Sequence, residues 1–257
     1  MIQLCDLRGK KGLVVGIANE HSIAYGCAKV LRSCGAELAV TYLNAKAEPY
    51  VRPLAVGLNA PLILPCDVQE REQLEAVFER VRDQWGKLDF LVHSIAYAPL
   101  QDLHARLVDC SVEGFKMAMD ISCHSFIKMA QLSEPLMQGG GCLITVTFYG
   151  SKRVVKHYNL MGPVKAALES AVRYLAAELA GRDIRVHAIS PGPLRTRAAS
   201  GISDFEELVE KAALEAPQKK LITIEDIGNL CAFLVSDAAQ RMTGTVIPVD
   251  AGLHVLA

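Results

Sequence analysis

Tyr158 and Lys165 stand seven positions apart in the stretch His157-Tyr158-Asn159-Leu160-Met161-Gly162-Pro163-Val164-Lys165. Read as the opening of a long helix, that step is nearly two turns, so both side chains share one face. A phenol and an ammonium side by side can stabilise a developing oxyanion and hold the ribose of a dinucleotide. A four-residue step from Tyr158 lands on Gly162, which carries neither group. Two histidines lie near. His93 closes a strand-like run and reads as a hydrogen-bonded core residue, and His157 reads as facing solvent. No grouping has metal-ligand spacing, and none has a Ser/His/Asp arrangement.

The elements that position this pair alternate along the chain. Strand-like runs are Gly12 to Ile17, Glu37 to Tyr42, Leu62 to Leu64, Leu88 to Val92, Cys142 to Thr147, Ile184 to Ile189 and Val246 to Val249. Pro248 makes the last one an edge strand or a terminus. Helical spacing covers Ser22 to Cys34, Gln69 to Trp85, Val112 to Met137 with Ser111 as N-cap, and Tyr158 to about Ala180. Thr223-Ile224-Glu225-Asp226 has the form of a capping box before a last helix. This order predicts a single α/β domain over residues 1–257. Its core is a Rossmann-type, doubly wound parallel sheet of about seven strands with helices on both faces. Ligands of such sheets bind beyond the carboxyl ends of the strands.

The loops at those ends suit a dinucleotide. Gly16-Ile17-Ala18-Asn19 follows the first strand without the GxGxxG pattern; Gly16 permits a tight turn, and Ser22 opens a helix whose N–H groups suit a pyrophosphate. Asp67, before Val68, can accept from an adenine amino group, or it can cap the following helix. Ser94-Ile95-Ala96 leaves room for a ribose. Pro191-Gly192-Pro193-Leu194-Arg195-Thr196 is a rigid turn that can meet a nicotinamide carboxamide.

Composition narrows the classes further. The chain has 257 residues, 51% hydrophobic and 21% charged, with a net charge of -1. No basic stripe points to nucleic acid. No apolar run approaches the roughly 18 residues of a membrane span, and the first residues lack a signal-peptide pattern. The eight cysteines are scattered without a CxxC pair. They read as small buried hydrophobes of a cytoplasmic protein.

The chain resembles the short-chain dehydrogenase/reductase superfamily, and within it the enoyl-(acyl-carrier-protein) reductases of bacterial type II fatty-acid synthesis, the FabI type. The likeness spans nearly the whole length. It rests on Gly16-Ile17-Ala18-Asn19, Ser22-Ile23-Ala24, Cys66-Asp67-Val68, the run Gly86 to Ala96, Met119-Asp120-Ile121-Ser122, Tyr158-Asn159-Leu160-Met161-Gly162, Lys165-Ala166-Ala167-Leu168-Glu169 and the run Arg195 to Ile202. The resemblance implies NADH contacts from Gly16, Ser22, Ile23, Asp67, Val68, Ser94, Ile95, Ala96, Lys165, Leu194, Arg195, Thr196, Arg197 and Ala198. It implies an acyl site along Ala98, Phe148, Tyr149, Tyr158, Met161 and Phe205, with Tyr158 and Lys165 catalytic. It also implies a substrate lid near 196–210, where Ser203-Asp204-Phe205-Glu206 has capping-box form, and a homotetramer. The substrate implied is a trans-2-enoyl thioester on acyl carrier protein.

Three positions depart from the family pattern. Phe148 stands where a second tyrosine is common, with Tyr149 beside it. Leu43 stands where a glutamine is common near the adenine ribose, and Arg197 replaces an apolar residue. No carboxylate ends the second strand, so NADPH stays open beside NADH; Lys46 and Arg52 could meet a 2′-phosphate. Two rival readings share the fold: a carbonyl reductase, disfavoured by Gly162, and a non-catalytic NAD(P)-binding sensor, kept open by Phe148.

Overall fold

The computed structural model describes residues 5–196 and 201–256. Seven strands form one sheet: β1 (Lys11–Val15), β2 (Glu37–Tyr42), β3 (Leu62–Pro65), β4 (Phe90–His93), β5 (Gly141–Val146), β6 (Ile184–Pro191) and β7 (Thr245–Val249). Their order is β3-β2-β1-β4-β5-β6-β7, and every neighbouring pair is parallel. The chain winds outward from β1 to β3, then crosses back to β4 and winds the other way. The switch point therefore lies between β1 and β4. Pro248 sits in β7 at the sheet edge, where a missing N–H disrupts no ladder.

Alternation along each strand explains the two layers. Leu13, Leu91, Leu143 and Val186 face one side. There they meet Val77 and Phe78 of α3 (Arg71–Trp85), Phe126 and Met129 of α6 (Ser125–Ser133), and Leu168 and Val172 of α7 (Met161–Leu179). Val14, Val40, Val92 and Ile144 face the other. They meet Cys27 and Leu31 of α1 (Ile23–Ser33), Val51 of α2 (Glu48–Gly57), and Ile227 and Cys231 of α9 (Ile224–Val235). A sheet buried on both faces needs such near-continuous apolar strands. All eight cysteines are free thiols, five of them buried. Burial pushes Cys66 up to about 12 and Cys142 up to about 11. No helix among the described residues is long and apolar enough to cross a membrane.

The Val112 to Met137 helix of the sequence reading is interrupted. Ser111 caps it as expected, its Oγ accepting from Gly114 N at 2.9 Å. The run then divides into α5 (Val112–Met119), a π-helical turn (Asp120–His124), α6 and a closing 3-10 turn (Glu134–Leu136). Side chains at the wide turn explain the break. Ser122 Oγ accepts from Tyr97 N and donates to Tyr97 O, and Ser125 Oγ donates to Ile121 O. Such turns often mark functional sites. A short helix that the sequence reading omits, α4 (Leu100–His104), follows the β4 loop.

Contrary to the expected helix, Tyr158 precedes α7, in a turn, and does not share a helix with Lys165. The cause is Pro163: its ring obstructs the carbonyl four residues back, so a helix cannot extend far upstream of it. His157 and Asn159 both take positive φ, 63° and 32°, and these flanking kinks carry the chain into α7. Asn159 Nδ2 donates to Leu103 O at 2.9 Å and fixes the turn to α4. The capping box at α9 forms as read, with Thr223 and Asp226 bonding reciprocally.

Candidate functional site

At the carboxyl end of β1, Gly16 adopts φ +110°, and a Cβ there would lie 2.1 Å from Ser94 O. Ser94 N donates to Val15 O, so the loops after β1 and β4 are laced together at the switch point. Only glycine fits. Gly16→Ala is expected to cost about 1–3 kcal/mol from backbone strain alone and to weaken NADH binding. Thermal unfolding and a cofactor titration check both; an unchanged melting temperature would contradict the close approach.

Ser22 Oγ accepts from Ala18 N at 2.9 Å and Asn19 N at 3.0 Å, tying down the loop that precedes α1. No side chain caps the first turn of α1, which leaves that end as an anion seat. Asp67 does not cap α3; its Oδ1 accepts from Gln69 N at 3.1 Å, forming a turn before that helix. The N-cap of α3 itself is Glu70. Ile23, Val68, Ser94 and Ile95 are half-buried and Ala96 is exposed. Leu194 and Arg195 line a cavity of about 430 Å³ with His21 and Tyr25 at the start of α1. Thr196 follows them; Arg197 and Ala198 lie outside the described residues. The residues brought together thus fit a dinucleotide: a glycine-only approach, an uncapped helix N-terminus and a half-buried crevice at the switch point.

Lys165, on the first turns of α7, is 4% exposed and donates from Nζ to Val146 O at 2.8 Å. Burial pushes its ammonium down to about 8, against opposing pulls from Cys123 and Glu169. The Tyr158 ring is 7% exposed. Burial, then the Glu169 charge, raises its phenol well above the usual value, so it stays a protonated donor. Its hydroxyl has no hydrogen-bond partner among the described residues. Gly150 makes room for it: a Cβ there would sit 2.6 Å from Tyr158 Cδ1.

Below the pair, His93 is a core histidine, as read. Ser125 Oγ gives its proton to Ile121 O, so it accepts from His93 Nε2 at 2.8 Å; Nδ1 then accepts from Thr145 Oγ1 at 2.9 Å. Burial first, and Lys165 second, push this imidazole down to about 3. It is neutral and locks β4, β5 and α6 together.

The acyl-site residues of the sequence reading gather. Ala98, Tyr158 and Met161 form one apolar cluster with Phe148 and Tyr149 packed against it. Phe205 lies in an adjoining cluster that shares Ile202 and Leu208. The sequence reading placed Ile202 and Leu208 only within the lid and Glu169 only within a family motif, with no site role of its own. Helix α8 (Phe205–Glu215) forms, but the capping box does not: Asp204 is the N-cap, with φ 54° and no side-chain cap. Its carboxylate turns instead to His157, whose Nε2 lies 3.0 Å from Oδ2 without hydrogen-bond geometry. His157 therefore faces the start of α8 and not open solvent.

The sequence profile described as Enoyl-(Acyl carrier protein) reductase matches residues 16–254. The chain belongs to the enoyl-(acyl carrier protein) reductase family. It is 47% identical over 251 residues to the NADH enoyl-(acyl-carrier-protein) reductase FabI of Aquifex aeolicus, covering 97% of this chain and 93% of that protein. The crystal structure of the Anaplasma phagocytophilum reductase in complex with NAD superposes with a TM-score of 0.94 at 43% identity, over 98% of this chain and 96% of that one. The Bacillus cereus reductase, solved with NADP+ and an indole naphthyridinone, gives 0.96 at 42% identity, over 98% and 99%.

Within this family the Phe148 departure has a structural resolution. Phe148 stacks against Tyr158 with ring centroids 4.9 Å apart, and against Tyr149 at 4.3 Å. Tyr149 lines a cavity of about 410 Å³ under α8, together with His157, Ile202 and Leu208. Phe148 is thus a wall for the Tyr158 ring, and Tyr149 faces the lid side.

Proposed function

We propose that this chain reduces the C2=C3 double bond of trans-2-enoyl-(acyl-carrier-protein) thioesters with NADH, in fatty-acid synthesis. The observation that carries the reading is Tyr158: a buried, protonated phenol with no partner among the described residues, set in an apolar cluster just before the helix that carries Lys165. NADH, when bound, supplies the hydride that adds at substrate C3. Gly16, the first turn of α1, Asp67–Val68, Ser94–Ala96 and Leu194–Ala198 hold it, and Lys165 bonds its ribose hydroxyls. Ala98, Met161, Phe148, Tyr149 and Phe205 hold the acyl chain and exclude water. The Tyr158 hydroxyl donates to the thioester oxygen, where charge collects as C3 is reduced. It stabilises the charged oxygen more than the ground-state carbonyl, and that difference lowers the barrier. C2 then takes a proton from water.

NADH is favoured over NADPH because β2 ends without a group aimed at a 2′-phosphate. Leu43 is 51% exposed there, and Arg52 is already paired with Glu48 at 2.7 Å. One domain carries the whole site, and the segment near 196–210 acts as its lid, held by Arg195–Glu206 at 2.9 Å. The protein works in the cytoplasm as a homotetramer. Exposed Val108, Val112 and Phe115 near and on α5, Ile127 on α6 and Tyr174 on α7 give these helices an apolar outer face suited to subunit contact.

A spectrophotometric assay of NADH against NADPH, with crotonyl and longer enoyl thioesters, tests the reading. Oxidation of NADH that depends on the enoyl thioester is the expected result. Reduction of a 3-oxoacyl thioester alone would favour a carbonyl reductase, and binding without turnover a sensor. Sedimentation at micromolar concentration checks the tetramer.

A further inference from the structure

Glu169 is the one acidic side chain of α7 that is buried: 4% exposed, one turn beyond Lys165. Its carboxylate has two donors. Thr147 Oγ1 donates to Oε1 at 2.9 Å and Ser151 Oγ donates to the same oxygen at 2.6 Å. The donors bracket the segment that follows β5. Between them lie Phe148, whose ring stacks on Tyr158, and Gly150, whose backbone the Tyr158 ring covers. One residue upstream of Thr147, Val146 O takes the Lys165 ammonium. A single carboxylate thus fastens to α7 the strip of chain that walls Tyr158 on one side and receives Lys165 on the other.

Burying a carboxylate is costly unless hydrogen bonds and an opposite charge compensate. Two neutral hydroxyls could satisfy a neutral amide equally well, so a charged residue here asks for a second reason. Lys165 supplies one. An ammonium with so little contact with solvent leans toward neutrality, and a fixed negative charge on its own helix opposes that. We propose that Glu169 is the positioning residue of the Tyr158–Lys165 pair: its hydrogen bonds hold the 147–151 segment against the phenol, and its negative charge keeps Lys165 an ammonium. This rests on the ribose-binding role given to Lys165 above.

The groups facing Lys165 set the expected pH behaviour. Glu169 lies on its own helix, Cys123 on the π-helical turn and His93 on β4. His93 is neutral, and Cys123 is raised by burial. Glu169 is the carboxylate among them, and its charge acts on Lys165 in the direction that holds the ammonium. In Glu169→Gln the amide oxygen can still accept from Thr147 and Ser151, while the charge is gone. Lys165 then loses its proton at lower pH.

The test is NADH binding as a function of pH, by fluorescence titration, alongside enoyl-thioester turnover. The protein with Glu169 intact is expected to lose affinity for NADH as pH rises through about 8. In Glu169→Gln that midpoint moves down by about one unit, with kcat at low pH within a few-fold of the parent. Thr147→Val combined with Ser151→Ala keeps the charge and removes the donors. It is expected to lower kcat at least tenfold without moving the midpoint, and it keeps the proposal testable if the glutamine variant folds poorly. A glutamine variant with an unmoved midpoint overturns the electrostatic half; a double variant with unchanged kcat overturns the clamp. Because binding is read without turnover, absent enoyl reduction in the parent protein would sink the activity reading separately.

Discussion

Tyr158→Phe is expected to abolish most enoyl-thioester reduction, lowering kcat by roughly 10²–10³, about 2.7–4 kcal/mol of transition-state stabilisation, while NADH still binds. The structure separates those outcomes. The ring is held by packing: Phe148 at 4.9 Å, Gly150 beneath, and the Ala98–Met161–Val164 cluster around it. Phenylalanine preserves all of this. The hydroxyl has no partner among the described residues, so its removal orphans no described protein group, and the melting temperature should hold. Losing stability and activity together would mean that the hydroxyl is structural. Unchanged turnover would remove Tyr158 from the chemistry. No phenolate is needed, because burial and the Glu169 charge both raise this group, and a donor must keep its proton. The rate carried by Tyr158 should accordingly stay flat through neutral pH.

The pattern of apolar runs made the sheet readable, because a parallel sheet covered on both faces writes its strands as short unbroken hydrophobic stretches. Glu37–Tyr42 is recovered to the residue, and the others within about two. The wide turn in the α5–α6 run was not readable. It depends on Ser122 reaching Tyr97, 25 positions away, and a helical period carries no trace of such a contact. Tyr158 shows a subtler failure. The pairing with Lys165 was read on a helix face, yet the phenol sits in a turn with positive φ on both sides. Pro163 was the available signal, since it limits how far upstream α7 can begin. The lid's capping-box form also misled: Asp204 takes φ 54° and answers to His157 across the cleft. Local propensity lost there to the left-handed backbone at Asp204. Glu169 was legible in part, as an acid four positions beyond Lys165 and so on the same face of one helix. What could not be read was that this face is buried.

Lys165→Ala is the second large expected effect, and it falls on cofactor binding. An ammonium bonding ribose hydroxyls contributes about 1.5–3 kcal/mol, so NADH affinity should drop roughly 10- to 100-fold. Its pH dependence identifies the cause. Burial lowers the Lys165 ammonium to about 8 from the usual lysine value. Below that pH it is charged in both the folded and the unfolded chain. Above it, the folded chain sheds the proton before the unfolded chain does. Between about 8 and the usual lysine value the unfolded state therefore binds more protons, and stability rises with pH. Cofactor affinity moves the opposite way over the same range, since the donor charge disappears. One group should thus drive two opposed trends in the parent protein, and Lys165→Ala should flatten this residue's share of both. Parallel titrations of NADH affinity and of unfolding midpoint, from pH 6 to pH 10 on parent and variant, decide it. If affinity in the variant still falls through about 8, another group titrates there, and Lys165 does not hold the ribose.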